Sequence, residues 1–180
     1  AIQSYLGCMS YADTLIGRLL GVLNTSAYAD NTVIVLWADH GWHLGEKEHW
    51  KKSTLWEEAT RVPLLFSAPG YLPSTCSKPV SLIDIYPTLI ELCDLPKREE
   101  LEGQSLVPLM ANPDRNWPYP AITTHGHKNH AIRSERWRYI QYADGSEELY
   151  DHENDEMEWH NLADDPAQED IMEILSQWLP

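Results

Sequence analysis

The run Thr32–Trp37 (T-V-I-V-L-W) constrains this chain more than any other segment. It is short, continuous, apolar and β-branched, which suits a strand covered on both faces, as in a parallel sheet. Asp39-His40-Gly41 follows at once. In open α/β sheets ligands collect beyond the carboxyl ends of strands, so this strand delivers a carboxylate and an imidazole to a binding edge. Both can reach one cation. A hard ion such as calcium or magnesium favours the oxygen, and the imidazole suits a transition metal equally. The other reading is structural: Asp39 caps a turn and His40 is buried.

Apolar residues elsewhere place the remaining elements. Leu6, Met9, Leu15, Ile16, Leu19, Leu20 and Leu23 recur at helical steps, predicting a helix over 5–23. Residues 41–60 are polar with scattered tryptophan and read as loop and short helix. Arg61–Phe66 is a second strand, with Pro63 near its start or at an edge. A helix is expected from Ile85 to Cys93, with Asp84 as N-cap and Pro87 in its first turn. Residues 96–120 hold many Pro, Asp and Asn and read as an irregular surface crossing. Ala131–Tyr142, a turn at Asp144-Gly145 and Glu147–Tyr150 form a hairpin. A last helix covers Pro166–Trp178. The expected fold class is α/β: an α/β-sandwich part over 1–120, then a small α+β subdomain over 121–180.

Composition excludes some partners. Lys and Arg number 13 against 28 Asp and Glu, a net charge of −15, and no basic run offers itself to a phosphate backbone. Much of the acid lies in residues 144–170, a solubilising surface whose spacing fits no EF-hand loop. Cys8, Cys76 and Cys93 form no zinc pattern or CxxC pair. No apolar run approaches the ~20 residues of a membrane span, so none is expected, and no signal peptide is visible.

The lysines of Leu44-Gly45-Glu46-Lys47-Glu48-His49-Trp50-Lys51-Lys52 could grip an anionic substrate beside a metal, or form a solvated loop. The whole string A-D-H-G-W-H-L-G-E-K-E-H-W-K-K-S-T-L-W-E-E-A-T-R-V-P-L-L-F closely resembles the type I sulfatases of the alkaline phosphatase superfamily. Within them it looks most like the iduronate-2-sulfatase group. S-L-I-D-I-Y-P-T-L-I-E-L-C-D-L-P, L-E-G-Q-S-L-V-P-L-M and the tail A-I-R-S-E-R-W-R-Y-I…E-L-Y-D-H-E-N-D…E-W-H-N-L-A extend the resemblance over nearly the whole chain.

The resemblance implies an alkaline-phosphatase-like fold and hydrolysis of sulfate esters, with sulfated sugars as the expected substrates. It implies that Asp39 and His40 ligate calcium. Lys52 matches the lysine that binds sulfate and assists the leaving oxygen, with Lys51 as fallback. His49 and Trp50 would line the pocket, and His125, His130 and Arg133 could touch substrate, unless they form a structural cluster. The family's nucleophile is a formylglycine made within a Cys/Ser-x-Pro-x-Arg motif, and none of the three cysteines here fits it. The family's paired N-terminal aspartates and mid-chain histidine are also absent. The expectation is a C-terminal sulfatase fragment, inactive alone and prone to self-association. A periplasmic or extracellular setting is expected from the family. The alternatives are a phosphatase or phosphonate hydrolase of the same superfamily and a non-catalytic remnant.

Overall fold

The computed structural model describes all 180 residues. Helix α1 spans Ile2–Asn24 and ends at Thr25. Strand β1 (Ile34–Trp37) follows a single 3-10 turn. Two short strands, β2 (His43–Leu44) and β3 (Trp50–Lys51), pair antiparallel and fold residues 43–51 into a small ribbon. Helix α2 (Glu57–Thr60) leads into β4 (Leu64–Ser67).

β4 pairs with β1 in antiparallel register, Ile34 opposite Ser67 and Trp37 opposite Leu64. This corrects the parallel, doubly covered strand expected from Thr32–Trp37. Leu36, Trp37 and Leu65 stand exposed, because the β1–β4 ribbon has no third strand and its apolar side chains lack a full cover within this chain.

A 3-10 turn at Leu82–Asp84 opens α3 (Ile85–Leu92). Asp84 borders the helix as expected, but its carboxylate works backwards. It accepts from the Ser81 amide at 2.8 Å and the Gln104 amide at 2.7 Å, completing a capping box with Ser81. Residues 96–120 are not wholly irregular, since α4 (Val107–Ala111) lies there and packs Leu109 inward.

The tail is a four-stranded antiparallel meander of β5 (Ala121–Thr124), β6 (His130–Arg133), β7 (Trp137–Gln141) and β8 (Glu147–Asp151). It contains the expected hairpin as β7–β8, but the single run expected over Ala131–Tyr142 turns at residues 134–136 and divides into β6 and β7, and β5 adds a fourth strand. The best-buried core sits here, and strand alternation divides it. Ala131, Ile140 and Tyr150 face one way and close over Leu55, with Trp56 against them. Ile132, Tyr139 and Leu149 face the other way, against Leu175 of α5 (Glu169–Ser176). Leu55 thus carries the segment after β3 onto the C-terminal sheet.

The expectation that nothing here could span a membrane is corrected. α1 has 23 residues and contains an 18-residue window of mean hydropathy 1.2, long and apolar enough to cross one by length and composition. Its apolar residues are interleaved with Gly, Ser and Thr, so no unbroken run appears in the sequence. None of its side chains is buried.

Candidate functional site

Beyond the end of β1, Gly41 holds the chain close to α2. Its amide donates to the Ala59 carbonyl at 2.8 Å, and a methyl group there would collide with the Glu58 carbonyl. This contact sets the direction of the two residues before it. The His40 Nδ1–H donates to the Gly41 carbonyl at 2.9 Å, which leaves Nε2 as a lone-pair acceptor. That atom receives the Lys52 ammonium at 2.7 Å and lies 3.4 Å from Asp39 Oδ2. Two lone-pair atoms thus lie close without a hydrogen between them, and the Lys52 ammonium meets the imidazole one. The Asp39 side chain is 84% exposed and that of His40 31%, so both are open to solvent.

The 43–54 loop behind Lys52 is tightly bonded. His43 is fully buried and shares a 2.8 Å hydrogen bond with the Thr54 hydroxyl. Burial pushes its imidazole below the usual histidine range, towards the neutral form. The His49 Nε2–H donates to the Lys52 carbonyl at 3.2 Å, and His49 meets His43 edge-on at 5.0 Å. Lys47, Glu48, Lys51 and Ser53 all take positive φ, the last two (78° and 77°) on either side of Lys52. Left-handed backbone at non-glycine residues costs of order 1–3 kcal/mol each and gathers at functional sites.

A wide cleft of about 1340 Å³ runs from this point to the C-terminal sheet. Asp39, His40, Lys52, His125 and Arg133 line it; Lys51, His49 and His130 do not. Lys51 is exposed on β3. His130 bonds the Thr124 hydroxyl at 2.9 Å through Nδ1. Arg133 is half-buried and bonded: its Nε donates to Glu57 Oε2 at 3.3 Å, and its Nη1 donates to the Ser134 and Glu135 carbonyls.

Beneath the cleft lies a charge cluster that local sequence reasoning misses. Arg138, only 2% exposed, pairs with Glu57 and Glu158 and donates to the Leu55 carbonyl at 3.0 Å. His152 Nε2 lies 2.9 Å from Glu158 Oε1. Burial raises both glutamates. The arginines outweigh it at Glu57, and His152 with Arg138 outweighs it at Glu158, so both end below the usual carboxylate range. Glu57, His152 and Glu158 could by spacing hold a metal ion, but the arginines already neutralise them. The only local signal was Arg138 itself, a charge on the same strand face as Ile140.

The residues 1–95 match the Sulfatase family model, more than half of the chain. The chain belongs to the sulfatase family. A "Sulfatase" of Formosa agariphila is 45% identical over 99% of this chain, which spans 36% of that protein. A structure solved with its substrate D-glucosamine-2-N,6-O-disulfate superposes with a TM-score of 0.79 at 27% identity, over 93% of this chain and 37% of the other. The phosphonate monoester hydrolase of Agrobacterium radiobacter gives 0.79 at 26% identity, over 96% and 39%. The fold is therefore the alkaline-phosphatase-like α/β fold of the sulfatases, and this chain spans about a third of the length of the relatives it matches. Helix α1 lies inside the family-matched segment.

Proposed function

We propose that the complete polypeptide to which these 180 residues belong hydrolyses sulfate esters of sulfated sugars. The observation that carries this reading is the Lys52–His40 contact at 2.7 Å, at the edge of the cleft, in a sulfatase-family chain. Lys52 binds a sulfate oxygen and stabilises charge on the leaving oxygen as the S–O bond breaks. The Gly41 carbonyl keeps the His40 Nε2 lone pair turned outward, as backbone carbonyls do for metal-bound histidines. Once the Lys52 ammonium moves from that lone pair onto the sulfate, Asp39 Oδ2 beside it makes the pair fit one edge of a divalent-cation site. We assign that cation as calcium, with further ligands from the rest of the polypeptide. When bound, it neutralises charge on the sulfate. The nucleophile, a formylglycine on the sulfatase pattern, also comes from outside these residues. His125 and Arg133 line the cleft and face the sugar.

The supporting experiment is sulfate release by the complete polypeptide, with calcium, from 4-nitrophenyl sulfate and from sulfated monosaccharides. Release of sulfate from the sugars supports the reading; absence of release from every ester overturns it. Likeness to the phosphonate monoester hydrolase favours a second reading. Faster turnover of 4-nitrophenyl phosphate or a phenylphosphonate monoester than of any sulfate would replace the first reading by that one.

A further inference from the structure

The loop bearing Lys52 is fastened to the C-terminal sheet at both ends. At its start, the Lys47 ammonium sits 4.4 Å from the Trp56 ring centroid and 4.3 Å from that of Tyr150. It donates to the Tyr150 hydroxyl at 3.0 Å and to the Glu158 carbonyl. At its end, Arg138 of β7 donates to the Leu55 carbonyl at 3.0 Å and pairs with Glu57. Glu158 closes the circuit: one oxygen accepts from the Glu57 amide at 3.0 Å and the other pairs with Arg138 and His152. Between these anchors Lys52 stands on a backbone held left-handed at Lys51 and Ser53. A strained segment persists only where its surroundings over-determine it.

We propose that Arg138 is a positioning residue: through Leu55 and Glu57 it holds the 51–55 segment so that the Lys52 ammonium stays beside His40. Arginine suits this task, because its planar fork serves a carbonyl and two carboxylates at once, which a lysine cannot. The C-terminal sheet thereby acts on the reaction through a residue remote in sequence. This inference rests on the role proposed for Lys52.

Two measurements on Arg138→Met and Glu57→Gln, made in the complete polypeptide, test it. The first is amide hydrogen exchange. Exchange over residues 47–57 should rise at least about tenfold while β6–β8 keep their protection. Unchanged exchange in that segment, or loss of protection across the whole sheet in both variants, would overturn the proposal. This readout does not depend on turnover, so an inactive parent protein would sink the sulfatase reading while the positioning role is still decided. The second is a cycle with Lys52→Ala, read as kcat per folded active site. Misplacement by about 1 Å can cost on the order of 100-fold. Arg138→Met should therefore cut kcat about 10–100-fold when Lys52 is present and less than about threefold when it is absent. Equal losses in both backgrounds would mean a merely structural arginine and would overturn the proposal.

Discussion

The Lys52 ammonium donates to His40 Nε2 at 2.7 Å, and the opposite ring nitrogen of His40 is tied to the Gly41 carbonyl at 2.9 Å. The two residues are twelve apart in sequence and meet because the 43–51 ribbon doubles back. If Lys52 stabilises charge developing on a sulfate ester, its loss should resemble the loss of one oxyanion-type donor. Lys52→Ala in the complete polypeptide should lower kcat about 100- to 1000-fold with little change in thermal stability. Steady-state kinetics on 4-nitrophenyl sulfate beside a melting curve checks this. Full activity of the variant would remove Lys52 from the mechanism.

Gly41 makes the second prediction. An added Cβ would meet the Glu58 carbonyl, which is backbone and cannot swing aside. Gly41→Ala should force α2 away from the Asp39-His40 step and cost about 1–3 kcal/mol, in the range of overpacking. A loop glycine with open space around it, such as Gly70, offers the control, although its φ of 86° adds its own strain. Chemical denaturation of the two alanine variants should show a lower midpoint for Gly41→Ala. A wild-type midpoint would contradict the close approach.

Acid should loosen the anchor under the cleft. Glu57 and Glu158 both sit below the ordinary carboxylate range, where Arg138, Arg133 and His152 outweigh the effect of burial. A depressed carboxylate contributes stability that is fully present above its unfolded pKa, about 4.3. That stability drains away as pH falls through the lower folded value. The unfolding midpoint should thus hold from neutral pH down to about 5 and drop below about 4. Glu57→Ala should flatten part of that drop and cost about 1–3 kcal/mol at neutral pH, because Arg138 keeps Glu158 but loses one of its two carboxylate partners and Arg133 loses its ion pair. Urea titrations at a series of pH values would show it; an acid limb equally steep in the variant would exclude Glu57.

The sequence made some of this legible and hid the rest for physical reasons. Helix α1, helix α3 and the β7–β8 hairpin follow from local periodicity and turn residues, which belong to each segment alone. The direction in which β1 pairs does not: an apolar run reads the same beside a parallel or an antiparallel neighbour, and Trp37 opposite Leu64 is a tertiary fact. Asp39, His40 and Lys52 came from a family pattern, and the structure brings the three together. His49, named with them, instead turns inward to bond the Lys52 carbonyl. The Arg138–Glu57 pair spans 81 positions. No window on the chain holds both, so neither residue stands out until the sheet is folded.

Helix α1 gives the last prediction. Leu6, Met9, Leu15, Leu19 and Val22 are all exposed on it, and the β1–β4 ribbon adds Leu36, Trp37 and Leu65. Apolar surface on this scale is uncommon on a monomer and is removed from water by association. The isolated 180 residues should therefore self-associate, and sedimentation velocity at micromolar concentration should show species heavier than 20.7 kDa. Paired substitutions Leu15→Glu and Leu19→Glu should return the monomer by placing charge in the contact. They should leave the C-terminal sheet intact, since neither side chain touches that core. A monomer before substitution would overturn the prediction.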